Sequence, residues 1–345
     1  MTDRIKLTGF SHGGGCGCKI APSVLERLLS ELPKDSLPYP SLMVGLENGD
    51  DAAVYDLGNG QALVATTDFF MPIVDDGYDF GRIAATNALS DVYAMGAKPI
   101  LALALLAMPI DKLPDSVIRD IVRGGMDACK GAGIPVAGGH SIDSVEPIYG
   151  LVALGLGDKA KIKRNDKAQA GDVLILSKPI GIGILSAALK KDALSPDGYA
   201  AMISLTTTLN SAGPSIAAIE GVHAMTDVTG FALLGHLWEM ARGSKLTAVL
   251  KANDVPVIPE ALELAQKGFV TGASGRNWNS YGSHVALCEG LPEWRKNLLN
   301  DPQTSGGLLI AAGKQAASAV LSVLAGAGAI VGHLEEGEAG IRVAG

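Results

Sequence analysis

Ala62-Leu-Val-Ala-Thr-Thr67-Asp68, followed by Phe80-Gly-Arg-Ile-Ala-Ala-Thr-Asn-Ala-Leu-Ser-Asp-Val-Tyr-Ala-Met95, is the stretch from which the fold class can be read. The first segment is a short apolar and β-branched run ending on an aspartate, which predicts a strand over Ala62–Thr67. In the second, Ile83, Asn87 and Asp91 recur at helical spacing and fall on one face, which predicts a helix over Phe80–Met95. The same alternation continues outward. Ile100–Met108 reads as a buried strand, Asp115–Ala132 as an amphipathic helix, and Ile134–Ala137 and Ile148–Gly155 as further strands. Alternation of this kind indicates α/β layers rather than a helical bundle.

Lys159–Lys167 is charged and poor in apolar residues, and with Ala168–Gly171 it marks the expected domain boundary. Beyond it the pattern resumes. Asp172–Ser177, Leu246–Lys251 and Gly307–Ala312 are strand-like, Ala224–Thr229 leads into a helix, and a last short strand is expected near Ile341. Gly183–Lys191, Tyr199–Asn210, Phe231–Arg242 and Lys314–Ala325 carry helical patterns. At 345 residues the chain is long for one core, so two α/β units are expected.

Composition narrows the function classes. With 48% hydrophobic residues, 19% charged and a net charge of −8, the chain is globular and has no basic stripe for nucleic acid. The apolar run Ile100–Ile110 is interrupted by Pro109 and is too short to span a bilayer. No charged-then-apolar signal pattern opens the sequence. Of the four cysteines, Cys16 and Cys18 are separated by one residue while Cys129 and Cys288 stand alone. That spacing is neither a disulfide framework nor a zinc site, and a reducing cytoplasm is the expected compartment.

The chemistry concentrates near the amino terminus, in Ser11-His-Gly-Gly-Gly-Cys16-Gly-Cys18-Lys19. Consecutive glycines contribute little to a core but let a backbone bend tightly against a ligand. A cysteine beside Lys19 is expected to have its thiolate favoured. Carboxylates recur at small-residue junctions: Asp50-Asp51, Asp68 after Thr66-Thr67, Asp91, and Asp227 within Met225–Gly230. Each could equally cap a local element. Taken together, hard oxygens at separate loop ends suit Mg²⁺ shared with phosphates. Neither a Walker A loop nor a dinucleotide fingerprint is present, since a charged segment follows Gly155–Ala160. Gly138-Gly-His-Ser141 and Asp301-Pro-Gln-Thr-Ser-Gly-Gly307 are read as turns that could offer N–H groups to an anion.

Several motifs together resemble the selenophosphate synthetase (selenide, water dikinase) family over nearly the whole chain. They are Ser11–Ile20, Gly49–Tyr55, Thr66–Pro72, Ala84–Asp91, Ala137–Asp143, Met225–Gly230 and Asp301–Gly307. The later ones are shared more loosely with a superfamily that includes aminoimidazole ribonucleotide synthetase, whereas the Cys-Gly-Cys-Lys segment narrows the match to the selenium enzymes.

The resemblance implies a two-domain aminoimidazole ribonucleotide synthetase-like α/β fold whose amino-terminal domains pair across a homodimer into a β-barrel. Residues 1–20 would be a flexible catalytic segment, 21–158 the ATP- and metal-binding domain, and 168–345 the carboxy-terminal domain. Cys16 and Lys19 would be catalytic. Asp51, Asp91 and Asp227 would hold Mg²⁺. Lys19, Asn48, Gly49, Asp50, Asp68, Asp91, Gly139, His140 and Ser141 would contact the nucleotide. The implied reaction converts selenide, ATP and water to selenophosphate, AMP and orthophosphate. Cys16 would hold or deliver selenium, or act as an acid–base group. Some relatives carry selenocysteine where this chain has Cys16. Two alternatives stay open at this point: another ATP-dependent ligase or kinase of the superfamily, or a non-enzymatic selenium carrier.

Overall fold

The computed structural model describes residues 5–20, 24–25, 27–28, 39–45 and 49–345. Two mixed sheets form the molecule. The first has six strands: β1 (Leu42–Val44), β2 (Ala53–Asp56), β3 (Gln61–Phe70), β4 (Lys98–Met108), β5 (Val136–Asp143) and β6 (Ile148–Asp158). Their spatial order is β1-β2-β3-β6-β4-β5, antiparallel throughout except for the parallel pair β4/β5. Helices α1 (Gly77–Ala94) and α2 (Asp115–Gly131) pair with each other beside this sheet. They approach closely because glycines face each other at the crossing. A Cβ on Gly81 would lie 1.9 Å from the Ile121 carbonyl oxygen, and one on Gly124 would lie 2.0 Å from that of Tyr78.

Two short 3-10 turns, Lys159–Lys161 and Asn165–Lys167, lead into the second sheet. Its strands are β7 (Val173–Leu176), β8 (Val222–Asp227), β9 (Thr247–Lys251), β10 (Val285–Leu287), β11 (Leu308–Ala312), β12 (Ala329–Glu335) and β13 (Gly340–Ala344). They run in the order β10-β13-β9-β12-β7-β11-β8. Helices α3 (Ile182–Lys190), α4 (Pro196–Thr206), α5 (Gly213–Ala217), α6 (Ala232–Ser244), α7 (Pro259–Gln266), α8 (Gly272–Tyr281), α9 (Glu293–Leu299) and α10 (Lys314–Val323) complete this half.

Helix α1 decides how the halves meet. Asp76 caps it by accepting from the Asp79 N–H. Its residues Phe80, Ile83, Ala84, Leu89 and Val92 are fully buried, and so are the polar Asn87 and Ser90. The apolar positions belong to the main core; Asn87, Ser90 and Asp91 mark the face turned to the second half.

Two strand expectations are corrected. Ile100–Met108 is a strand but not a buried one: Ile100 is exposed and Leu101, Leu103 and Leu105 are only partly covered. They share an open sheet face with Leu63, Phe69, Val152 and Leu154, the register placing Leu101 against Leu154 and Leu103 against Val152. An apolar run alone cannot separate a doubly covered strand from a singly covered one. The segment predicted as a strand at Ile134–Ala137 and a turn at Gly138–Ser141 is instead one strand, β5, pairing with β4 through Asp143. Gly139 is needed there because a Cβ would lie 2.0 Å from the Ala104 carbonyl oxygen.

Candidate active site

Asp51 precedes β2, Asp91 lies in the last turn of α1, and Asp227 ends β8. One carboxylate oxygen from each lies within 4.8 Å of the others. Hydroxyls aim them: Thr226 Oγ1 donates to Asp51 Oδ1 at 2.7 Å, and Thr66 Oγ1 donates to Asp91 Oδ2 at 2.6 Å. The Asp51 and Asp227 Oδ2 atoms are buried without a hydrogen-bond partner among the described residues. Burial raises the pKa of all three, and the neighbouring carboxylate charges push Asp51 and Asp91 up further. Helix capping falls elsewhere, to side chains such as Asp76 and Asp158. Three hard oxygens, two of them with orphaned second oxygens, fit a divalent cation such as Mg²⁺.

The glycine-rich segment lies against this cluster, contacting both halves. It forms two 3-10 turns, Leu7–Phe10 and Gly15–Cys18. Gly15 has φ +53°, and its N–H donates to the Met71 carbonyl at 2.9 Å. A Cβ there would stand 2.4 Å from Thr304 Oγ1 and 2.8 Å from Ile73 Cδ1, so a side chain would drive the loop off its seat. The segment expected to be flexible is thus described in a docked form. His12 N–H donates to Glu146 Oε1 at 2.9 Å, and Arg276 Nη2 donates to the Gly17 carbonyl at 2.8 Å.

Cys16 is fully buried. Its N–H donates to Thr304 Oγ1 at 3.0 Å and its thiol donates to Asn87 Oδ1 at 3.2 Å. The expectation of a favoured thiolate is corrected. Burial, with Asp68 adding to it, holds the Cys16 pKa well above the ordinary thiol value, and Lys19 opposes this only in part. Lys19 is already engaged: its Nζ donates to Asp68 Oδ2 at 3.0 Å. Burial works against the ammonium, yet the carboxylates of Asp68 and Asp91 hold the Lys19 pKa well above the usual lysine value.

The other predicted contacts are distributed differently. Asp50 turns to the domain junction, accepting from the Asn165 N–H at 2.8 Å, while the Gly49 carbonyl accepts from Asn165 Nδ2 at 3.0 Å. Asn48 lies outside the described residues. Gly139, His140 and Ser141 occupy the exposed edge strand β5. Register links Asp68 to Leu151, Ala104 and then Gly139, three strand spacings away, or about 14 Å. The Asp301–Gly307 segment does not form an open anion cradle. Gln303 Oε1 accepts from the Gly181 and Ile182 N–H groups, and Asp301 Oδ2 accepts from Ile184 N–H, closing the amino end of α3. Its next two residues hold the loop, through Thr304 to Cys16 and through the Ser305 N–H to Asn87 Oδ1 at 2.7 Å.

Two family models match the chain: AIR synthase related protein, N-terminal domain, over residues 49–157, and AIR synthase related protein, C-terminal domain, over 169–344. The chain is 58% identical over 345 residues to a selenide, water dikinase of Paraburkholderia xenovorans, covering 98% of this chain and 96% of the relative. The chain belongs to the selenide, water dikinase family. A selenide, water dikinase of Pseudomonas straminea is likewise 58% identical over 338 residues, covering 96% of this chain and 94% of its own. At the level of fold, the thiamine-monophosphate kinase of Stenotrophomonas maltophilia superposes with a TM-score of 0.66 at 21% identity, over 94% of this chain and 96% of that one.

For a member of the selenide, water dikinase family, the side chains that tie the site together lie inside the quoted motifs but have no role assigned from sequence. Asn87 Nδ2 donates to Asp68 Oδ2 at 2.6 Å while its Oδ1 accepts from Cys16 and from Ser305. The helical spacing placed Asn87 on the face of Asp91, which was the available signal. Thr66 and Thr226 each stand among small polar residues next to predicted aspartates, but nothing in the sequence says which hydroxyl meets which carboxylate. Among the described residues no helix is long and apolar enough to cross a membrane.

Proposed function

We propose that this chain synthesises selenophosphate from selenide, ATP and water and releases AMP and orthophosphate. The observation that carries this reading is the junction of two chemistries in one buried site. A cluster of three carboxylates stands beside a docked loop whose thiol and ammonium share the Asp68–Asn87 pair. Hard oxygens match a metal-bound triphosphate, and a polarisable sulfur matches selenium.

Asp51, Asp91 and Asp227 would hold Mg²⁺, which when bound neutralises phosphoryl oxygens that bare carboxylates would repel. Lys19 supplies a second positive charge to the triphosphate, and Asp68 keeps that ammonium protonated and oriented. Hydrogen selenide anion attacks the γ-phosphorus, forming the P–Se bond and breaking the bond to the β–γ bridging oxygen, with ADP leaving. Water then attacks the β-phosphorus and the α–β bridging oxygen leaves, giving AMP and orthophosphate. Phosphoryl transfer of this kind depends on positioning and charge stabilisation. Cys16, protonated and shielded from bulk water, acts on selenide as a neutral S–H group held by Asn87.

The same reading includes a cytoplasmic homodimer. The open apolar face carrying Phe69, Leu101, Leu103, Val152 and Leu154 supplies a self-complementary surface. Gly139 stands about 14 Å from Asp68 within one chain, with His140 and Ser141 further along β5, and in such a dimer their nucleotide contacts are made across the interface. The test is chromatography of nucleotides after incubation with ATP and Mg²⁺, with and without selenide. AMP formed only with selenide is expected; ADP as the end product, or cleavage indifferent to selenide, overturns the reading.

A further inference from the structure

Lys178, just beyond β7, is only 7% exposed and makes no ion pair among the described residues. Its Nζ instead donates to two backbone carbonyls, Thr208 at 2.6 Å and Ser305 at 3.0 Å. Burying a long cationic side chain is unfavourable unless its donors are used, and burial lowers its pKa to about 7. Whether ammonium or amine, Nζ keeps N–H donors for both carbonyls.

The Ser305 peptide is unusual on its own account. Ser305 is a non-glycine residue at φ +52°, a conformation that needs outside support. Its neighbours leave it little room. A Cβ on Gly306 would lie 2.0 Å from the Val228 carbonyl oxygen, and one on Gly307 would lie 2.4 Å from the Lys178 backbone nitrogen. Held this way, Ser305 turns its carbonyl to Lys178 and its N–H to Asn87 Oδ1, the atom that also accepts from the Cys16 thiol. The preceding residue, Thr304, accepts the Cys16 N–H.

We propose that Lys178 is a positioning residue for Cys16, acting through the left-handed Ser305 peptide and the Asn87 side chain. Without its donors the Ser305 carbonyl is left buried and unpaired, and the peptide relaxes towards an ordinary conformation. Its N–H then leaves Asn87 Oδ1, so the bond from Asn87 Nδ2 to Asp68 alone still fixes the amide beside the thiol, and the thiol is held more loosely. The inference rests on the reading of Cys16 as the thiol that serves the reaction, and it assigns Lys178 no contact with substrate.

The test is peptide-resolved alkylation of the folded full-length chain by iodoacetamide, with Cys129 and Cys288 as internal references, in Lys178→Met and Lys178→Gln. Methionine removes every donor at similar length; glutamine keeps a shorter N–H donor. Cys16 labelling is expected to rise at least tenfold in Lys178→Met and two- to fivefold in Lys178→Gln, with the references within twofold of wild type. Selenide-dependent kcat falls in the same order, while KM for ATP stays within threefold. Should Lys178→Met not fold, the glutamine variant decides alone. Unchanged Cys16 labelling, or an equal rise at all cysteines, overturns the proposal. Lack of selenide-dependent turnover in the wild type would remove the proposed function but leave the labelling comparison intact.

Discussion

Replacing Asp227 by Asn tests the carboxylate cluster at its most buried member. Two unit charges at 4.8 Å repel by about 3.5 kcal/mol at an effective dielectric of about 20. The substitution removes two of the three pairs in the cluster, about 7 kcal/mol gross. Raised pKa values mean that the wild type already relieves much of this by retaining protons. The sign follows from that direction. A carboxylate with a raised folded pKa contributes most stability below its unfolded pKa and loses it as pH rises through the folded value. At pH 8 without metal, Asp227→Asn is therefore expected to be more stable by about 1–3 kcal/mol, a Tm increase of several degrees. Mg²⁺ acts in the opposite order. At a hundred times its Kd it should stabilise the wild type by about 2.7 kcal/mol and the variant far less. Differential scanning calorimetry of both proteins at pH 6 and pH 8, with and without Mg²⁺, reads the metal-free difference and the two Mg²⁺ increments. A variant destabilised without metal that keeps the full Mg²⁺ increment would refute the reasoning.

Other parts of the account can be tested separately. Gly15→Ala places a Cβ 2.4 Å from Thr304 Oγ1 at φ +53°, and is expected to lower selenide-dependent kcat at least tenfold and expose Cys16 to alkylation. A shift of less than threefold in both would mean that the loop tolerates a side chain there. Asp301, pushed up to about 8 by burial, loses its stabilising protonated form as pH rises through that value. The native state keeps one more proton than the unfolded chain up to about pH 8, so stability falls by about 1.4 kcal/mol per pH unit below that value and levels off above it, and the Tm of Asp301→Asn relative to wild type should climb from pH 5 to pH 8 and flatten by pH 9. A flat difference across that range contradicts the assignment. Leu103→Glu on the open sheet face is expected to convert a dimer to a monomer in analytical ultracentrifugation while leaving the circular dichroism spectrum unchanged. An unchanged sedimentation coefficient would place any interface elsewhere.

The layered fold was legible because its elements carry strong periodicity. The 80–95 helix with Asn87 and Asp91 on one face is observed as α1, and most predicted strands fall within two residues of their observed ends. The failures have local causes. Ile100–Met108 contains little except aliphatic residues, so hydrophobicity could not reveal that one face lies open. Gly138 and Gly139 signal a turn, yet here Gly139 serves the close approach of β5 to β4. Helices α7 and α8 are short, eight and ten residues, and neither was predicted.

The site was legible as a set of residues, not as a wiring diagram. Asp51, Asp91 and Asp227 meet as their motifs suggested. The state of Cys16 did not follow from its neighbour Lys19, because Asp68, distant in sequence, takes that ammonium while burial acts on the thiol. Likewise Asp301–Gly307 reads as a ligand loop but acts as a brace, which only the position of α3 and of the docked loop could reveal. Contacts between residues remote in the chain set those outcomes.

Phosphorus NMR of the full-length chain with ATP, Mg²⁺ and selenide tests the central claim most directly. The account predicts one selenophosphate signal growing with equal amounts of AMP and orthophosphate, and no growth when selenide is left out. Consumption of ATP without a selenophosphate signal, or with ADP accumulating in place of AMP, would contradict it.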